Sequence, residues 1–204
     1  MRVHRMVLLT IVLASLVATA RAQELQISPY VGGIVSSKVA DAANFKTSAV
    51  YGLRWSMYVI PQFSVEASLG RQNDFKFKDT TADSHAFVFD LNGLYYFGRE
   101  GDDAEPVKKF VPFTTAGIGL ISADVKNGFA LLKPNTSGAK SVYLIDGNRF
   151  FTINYGGGVQ ASRLAGPLGV RVDARGRTAP NMLGSSAHFF EFSGGVTFNL
   201  VFPY

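Results

Sequence analysis

The residues with the most chemical potential in this chain are its histidines and the hydroxyl and carboxylate groups beside them. There are three histidines, His4, His85 and His188. Asp83-Ser84-His85, and His188 with Glu191, supply the types that nucleophilic hydrolysis needs: a hydroxyl, a base to take its proton, and a carboxylate to orient the base. That chemistry requires serine and histidine within hydrogen-bond reach. Adjacent residues of a strand point to opposite faces, so Ser84 and His85 make a poor pair, as do Glu191 and His188. No catalytic set is expected from them. Gly117-Ile118-Gly119 lacks the third glycine of a dinucleotide loop, and Gly156-Gly157-Gly158 reads as a bend in a curved strand. The chain has no cysteine, which removes disulfides and thiolate metal sites. No metal site and no cofactor are expected. Lys108-Lys109 is the one basic pair, far short of a nucleic-acid footprint.

A second set carries charge of both signs: Arg54, Glu66, Asp90, Arg171, Asp173, Arg175 and Glu191. Each sits on the polar phase of a segment whose other phase is apolar. Such side chains share an enclosed interior only if they are paired, because an isolated buried charge is very costly. Their expected role is structural, as an interior polar network.

The elements that would position them are strands. Over 188–204 every second residue is apolar, aromatic or glycine: Phe190, Phe192, Gly194, Val196, Phe198, Leu200, Phe202 and Tyr204. The alternate set is mostly small or polar, Glu191, Ser193, Gly195, Thr197 and Asn199, with Val201 the exception. A period of two marks a strand with two unlike faces. Seven further segments alternate in the same way, although 110–121 can be read in either phase, with Ala116, Ile118 and Leu120 against Gly117 and Gly119 as the favoured one. Their oily phases include Ile27 and Val31, Leu53 and Trp55, Val65 and Leu69, Phe87 and Phe89, Ile118 and Leu120, Ile153 and Tyr155, and Val170 and Val172. The composition is 47% hydrophobic and 13% aromatic, yet no apolar run of spanning length follows residue 20. A transmembrane barrel reconciles the two, because its membrane signal is spread over segments of about ten residues. The predicted fold is all-β: an eight-stranded antiparallel up-and-down transmembrane β-barrel.

Long links join the segments over 36–48, 71–84, 122–148 and 176–186. Shorter ones lie at 59–62 and 162–167, and 98–109 is a longer, charged exception. Long loops at one end and turns at the other fit such a barrel. A turn centred on Ile60 would set Arg54 across from Glu66. Pairing about 163–166 would set Gly158 across from Arg171 and Gly156 across from Asp173. An eight-stranded interior is filled by side chains, so a packed polar plug is expected rather than an aqueous pore. His85 and His188 would stand at the loop ends of strands on opposite sides of the barrel, as interfacial residues.

The start of the chain reads as a cleavable signal peptide. Arg2, His4 and Arg5 precede an apolar run over 6–20 and a small-x-small site at Ala20-Arg21-Ala22. The run is too short for a spanning helix. The expected division is therefore a signal over 1–22 and a barrel domain over 23–204. The whole chain has 20 Lys+Arg and 15 Asp+Glu. Setting aside Arg2, Arg5 and Arg21 leaves 17 basic residues against 15 acidic, a balance of +2.

The segments Pro112-Phe113 leading to Gly117-Ile118-Gly119, Asn154-Tyr155-Gly156-Gly157-Gly158, 169–175 (Gly-Val-Arg-Val-Asp-Ala-Arg) and the terminal alternation together resemble the small bacterial outer-membrane β-barrel domain family. The resemblance spans essentially all of 23–204. It implies export to the outer membrane and contact with outer-membrane lipids and lipopolysaccharide. It also implies recognition of the last strand by the outer-membrane insertion machinery, although Tyr204 stands where phenylalanine is usual. No further domain is expected after the barrel. The family hosts several activities. The expected role is non-enzymatic, with any specific activity in extracellular loops, above all 122–148 with Lys126, Lys133, Lys140 and Asp146, which would contact a surface ligand. The alternatives are a narrow small-solute channel, a lipid A-modifying hydrolase and a soluble lipocalin-like binder.

Overall fold

The computed structural model describes residues 24–36, 38–39, 43–76, 83–98, 110–126, 129–132 and 142–201. The expected signal over 1–22 lies outside them, as do Lys133, Lys140, Phe202 and Tyr204. In chain order the strands are β1 (Glu24–Ser36), β2 (Lys38–Val39), β3 (Ala43–Asn44), β4 (Ser48–Ile60), β5 (Phe63–Gln72), β6 (Ser84–Tyr96), β7 (Val111–Val125), β8 (Phe129–Leu132), β9 (Val142–Ile145), β10 (Arg149–Ala165), β11 (Leu168–Met182) and β12 (Ser185–Val201). Eight of them close a barrel in the order β1-β12-β11-β10-β7-β6-β5-β4, while β2-β3 and β8-β9 form two small hairpins. Every barrel pairing is antiparallel.

The period of two decides which side chains face out. Val31, Trp55, Leu69, Phe89, Leu91, Ile118, Leu120, Ile153, Val172, Phe192 and Phe198 are exposed on the outer surface, and half-buried Leu53 shares that face. An outer wall of this kind is stable against hydrocarbon and not against water. It rules out the lipocalin-like alternative, which needs the reverse arrangement.

Register departs from the expectation twice. The β4–β5 hairpin turns about Pro61-Gln62 with an irregularity at Val59, so Arg54 lies opposite Ser68 and Glu66 opposite Ser56. On β10–β11, Gly156 lies opposite Arg175, Gly158 opposite Asp173 and Gln160 opposite Arg171. Both shifts are by two residues, so every side chain keeps its face.

Two links also differ. The 176–186 stretch is strand up to a tight turn at Leu183-Gly184, with φ of 56° and 84°. Both central residues are left-handed, as hairpin turns that follow the strand twist require. The 122–148 stretch carries the β8–β9 hairpin, with Phe129 opposite Ile145.

The interior is layered rather than uniformly polar, which corrects the expected polar plug. At the loop end, Phe45, Phe75, Val88, Ile121, Phe150 and Phe189 form part of a buried apolar cluster. The Phe45 and Phe75 rings stack at 4.7 Å, and Phe189 meets Phe45 at 5.7 Å. Near the turn end, Tyr58, Leu94, Tyr96, Val111 and Phe113 form a second cluster. The charges lie between the two.

Candidate functional site

All seven expected interior residues are buried inside the barrel, joined by an eighth, Arg177. Four arginines and four carboxylates therefore share the barrel's middle, formally neutral. Arg54 donates to Asp173 Oδ2 and to Glu191 Oε1, both at 2.9 Å. Arg171 reaches Glu66 Oε2 at 2.7 Å and Asp173 Oδ1 at 2.8 Å. Arg175 reaches Glu66 Oε1 at 2.7 Å and Asp173 Oδ1 at 2.9 Å. Arg177 reaches Asp90 Oδ2 at 2.7 Å and Glu191 Oε2 at 2.6 Å. The pairs link into one chain running Asp90–Arg177–Glu191–Arg54–Asp173–Arg171 and Arg175–Glu66. Arg54 and Glu66 share this network without touching, which corrects the expected direct pair.

The supply of charges follows from the strands. Arg171, Asp173, Arg175 and Arg177 alternate along the inner face of β11 and reach across the lumen. Guanidinium is the suitable cation here, because it stays ionised when buried and its fork meets carboxylates at two points. Neutral side chains fill the remaining acceptor positions. Ser56 donates to Glu66 at 3.1 Å, Ser68 to Asp90 at 3.1 Å, Asn154 to Asp90 at 2.9 Å and Ser193 to Glu191 at 2.9 Å. Two rings lie against guanidinium groups: Tyr30 at 3.8 Å from Arg54 and Phe113 at 4.4 Å from Arg171. Such cation–π contacts add to the pairing when desolvated. Tyr30 fits because Gly52 and Gly70 lie beneath it; a Cβ on Gly52 would stand 2.9 Å from the ring.

Sequence reasoning missed Arg177, Tyr30 and Phe113. Arg177 continues the odd-numbered phase of Arg171, Asp173 and Arg175, and Gly176 hides it by interrupting the oily phase. Phe113 was legible only as part of a strand of uncertain phase; the structure fixes that phase with Ala116, Ile118 and Leu120 outside.

The histidines lie elsewhere. His85 is on the outer face of β6, with Nε2 3.0 Å from Asp124 Oδ2. Ser84 points inward and donates to the Phe75 carbonyl. His188 is on the outer face of β12, its Nδ1 3.0 Å from Thr178 Oγ1, while Glu191 is inside. β6 and β12 stand four strands apart in a ring of eight. The histidine, serine and carboxylate groups considered for hydrolysis are thus not brought together. Among the described residues, no group of three or more potential ligands is placed to hold a metal ion.

A family model for the outer membrane protein beta-barrel domain matches residues 7–199. The chain belongs to the outer membrane protein β-barrel domain family. Its location is the bacterial outer membrane. Among solved structures it is similar to Neisserial surface protein A, with a TM-score of 0.61 at 11% identity, covering 86% of this chain and 97% of that one. It is also similar to the N-terminal β-barrel domain of Pseudomonas aeruginosa OprF, with a TM-score of 0.54 at 15% identity, covering 88% and 100%. No curated protein sequence matches the chain. At these identities the likeness is one of fold, and the family's barrel accounts for the oily exterior and the eight-strand closure described above.

Proposed function

We propose that this outer-membrane β-barrel is a closed, non-enzymatic anchor whose specific contacts are made at its loop end, outside the cell. The observation that carries this reading is the neutral Arg–carboxylate network between two apolar layers. A conducting path would have to break pairs whose separation costs several kcal/mol each and also pass two packed aromatic clusters. The non-enzymatic part is supported by how the candidate groups are separated: His85 meets Asp124 on the outer face while Ser84 points inward, and His188 meets Thr178 on the outer face while Glu191 is inside.

In this reading the turn end faces the periplasm and the loop end the outside. Glu24 pairs with Val201, so both ends of the barrel sequence lie at the turn end, on the periplasmic side of a chain exported by a signal over 1–22. In this reading β12 is the part presented to the insertion machinery. The 122–148 region is the principal surface element, and outer-membrane lipids and lipopolysaccharide surround the wall. Planar-bilayer recording tests the closed reading. The folded protein should give no steady single-channel conductance, whereas reproducible ohmic steps would establish the channel alternative.

A further inference from the structure

The barrel's outer wall is uncharged over half its circumference and charged at the loop end of the other half. On β11, β12, β1 and β4 no outward-facing described position carries Lys, Arg, Asp or Glu, and the outward histidine of this half, His188 on β12, meets the neutral Thr178 hydroxyl at 3.0 Å. On the contiguous strands β5, β6, β7 and β10 the outward phase ends in Arg71, His85, Asp124 and Arg149. These are neighbours by register. Arg71 is opposite Phe87, Phe87 opposite Ser122, and Ser122 opposite Arg149. The two arginines therefore stand three strands apart on one ladder row, about 14 Å at the usual strand spacing.

The charges in this patch do not cancel. His85 and Asp124 satisfy each other at 3.0 Å. Beyond them Lys126 is held by Asp83 at 3.1 Å. Arg71 and Arg149 have no carboxylate partner among the described residues, and Arg71 Nε is buried without a hydrogen-bond acceptor. The Arg71 guanidinium lies 5.8 Å from the Phe87 ring, which His85 meets edge-on at 5.6 Å. Phe87 is an apolar platform between the two arginines.

An arginine on a barrel's lipid-facing wall is destabilising in proportion to its depth. At the wall's edge it reaches out to polar headgroups while its stem stays in apolar surroundings. A phosphate is the acceptor there that matches a guanidinium fork. We propose that the outward loop-end face of β5, β6, β7 and β10 binds the phosphates of an outer-leaflet glycolipid, with Arg71 and Arg149 as the two cations and Phe87 against the hydrocarbon between them. The leaflet assignment rests on the orientation proposed above; the binding itself does not.

Native mass spectrometry of the folded barrel released from detergent with diphosphoryl lipid A tests the site. The unaltered protein should retain one lipid A, and dephosphorylated lipid A should be lost. R71Q and R149Q should each weaken retention about fivefold and together about thirtyfold, from about 1 kcal/mol per arginine at an anionic surface. R71K/R149K should restore most of it, which separates lost charge from misfolding. R163Q, at the turn end of the barrel where Arg163 lies 4.0 Å from Glu24, should change nothing. Equal retention by R71Q/R149Q, or equal retention of the dephosphorylated lipid, would overturn the proposal. So would displacement of lipid A by millimolar inorganic phosphate, since the site would then read phosphate without lipid. Proteolysis of intact cells reports the orientation independently: cleavage in the turns rather than the loops would reverse the leaflet and leave the binding result standing.

Discussion

Replacing Glu66 with glutamine removes one charge from the middle of the network while keeping the side chain's shape. Glu66 accepts from Arg171 Nη1 at 2.7 Å, from Arg175 Nη2 at 2.7 Å and from Ser56 Oγ at 3.1 Å. The four-against-four balance becomes an excess of one buried positive charge. Asp173, already shared by Arg54, Arg171 and Arg175, cannot compensate two guanidinium groups at once. Breaking a buried pair from one side costs about 3–5 kcal/mol. With a urea slope of about 1–3 kcal/mol/M, the unfolding midpoint should fall by about 1 M or more. Trp55, the single tryptophan, lies on the outer wall and reports unfolding by emission as it leaves the lipid. Because Arg175 touches Glu66 and Arg54 does not, Glu66→Gln with Arg175→Gln should recover more stability than Glu66→Gln with Arg54→Gln. An unchanged midpoint for Glu66→Gln, or equal recovery in the two double variants, would refute the network as described.

Two further outcomes follow from the geometry. Gly119→Val would place a Cβ against Asp90 Oδ1 and 2.8 Å from Thr152 Oγ1, so it should sharply lower the yield of the compact, heat-modifiable form on an unboiled gel. Lys126 donates to Asp83 at 3.1 Å and holds its carboxyl below the ordinary range; an NMR titration should find a depressed midpoint that Lys126→Ala returns to normal. The contribution of that contact is present above the carboxyl's unfolded pKa and is lost as pH falls through the lower folded one.

What the sequence revealed of this barrel was parity, and what it concealed was register and capping. The oily phases of Leu53, Leu69, Phe89, Ile153 and Val172 all face out, because a period of two survives any error in where a hairpin turns. The placing of Arg54 against Glu66 failed because symmetric pairing about Ile60 takes no account of the irregularity at Val59 or of the turn at Pro61-Gln62. Arg177 was lost in an expected loop because Gly176 interrupts the alternation that would have carried the strand onward. The loop-end apolar layer was invisible for a different reason. Phe45, Phe75 and Leu144 come from links between barrel strands. Ile121, Phe150 and Phe189 occupy inward positions where a charged interior led one to expect polar types. The outward pair His85–Asp124 needed the β6–β7 register, which no single segment contains.

The central claim is that alternate positions of one strand meet lipid and a sealed polar interior in turn. The cysteine-free chain suits site-directed spin labels placed one at a time at Phe192, Ser193, Val196, Thr197 and Phe198 of β12 in lipid vesicles. Oxygen, which concentrates in hydrocarbon, should relax labels at Phe192, Val196 and Phe198 strongly and those at Ser193 and Thr197 weakly. Strong relaxation at Ser193 and Thr197 with protection at Phe192 and Phe198 would turn the barrel inside out and contradict the account.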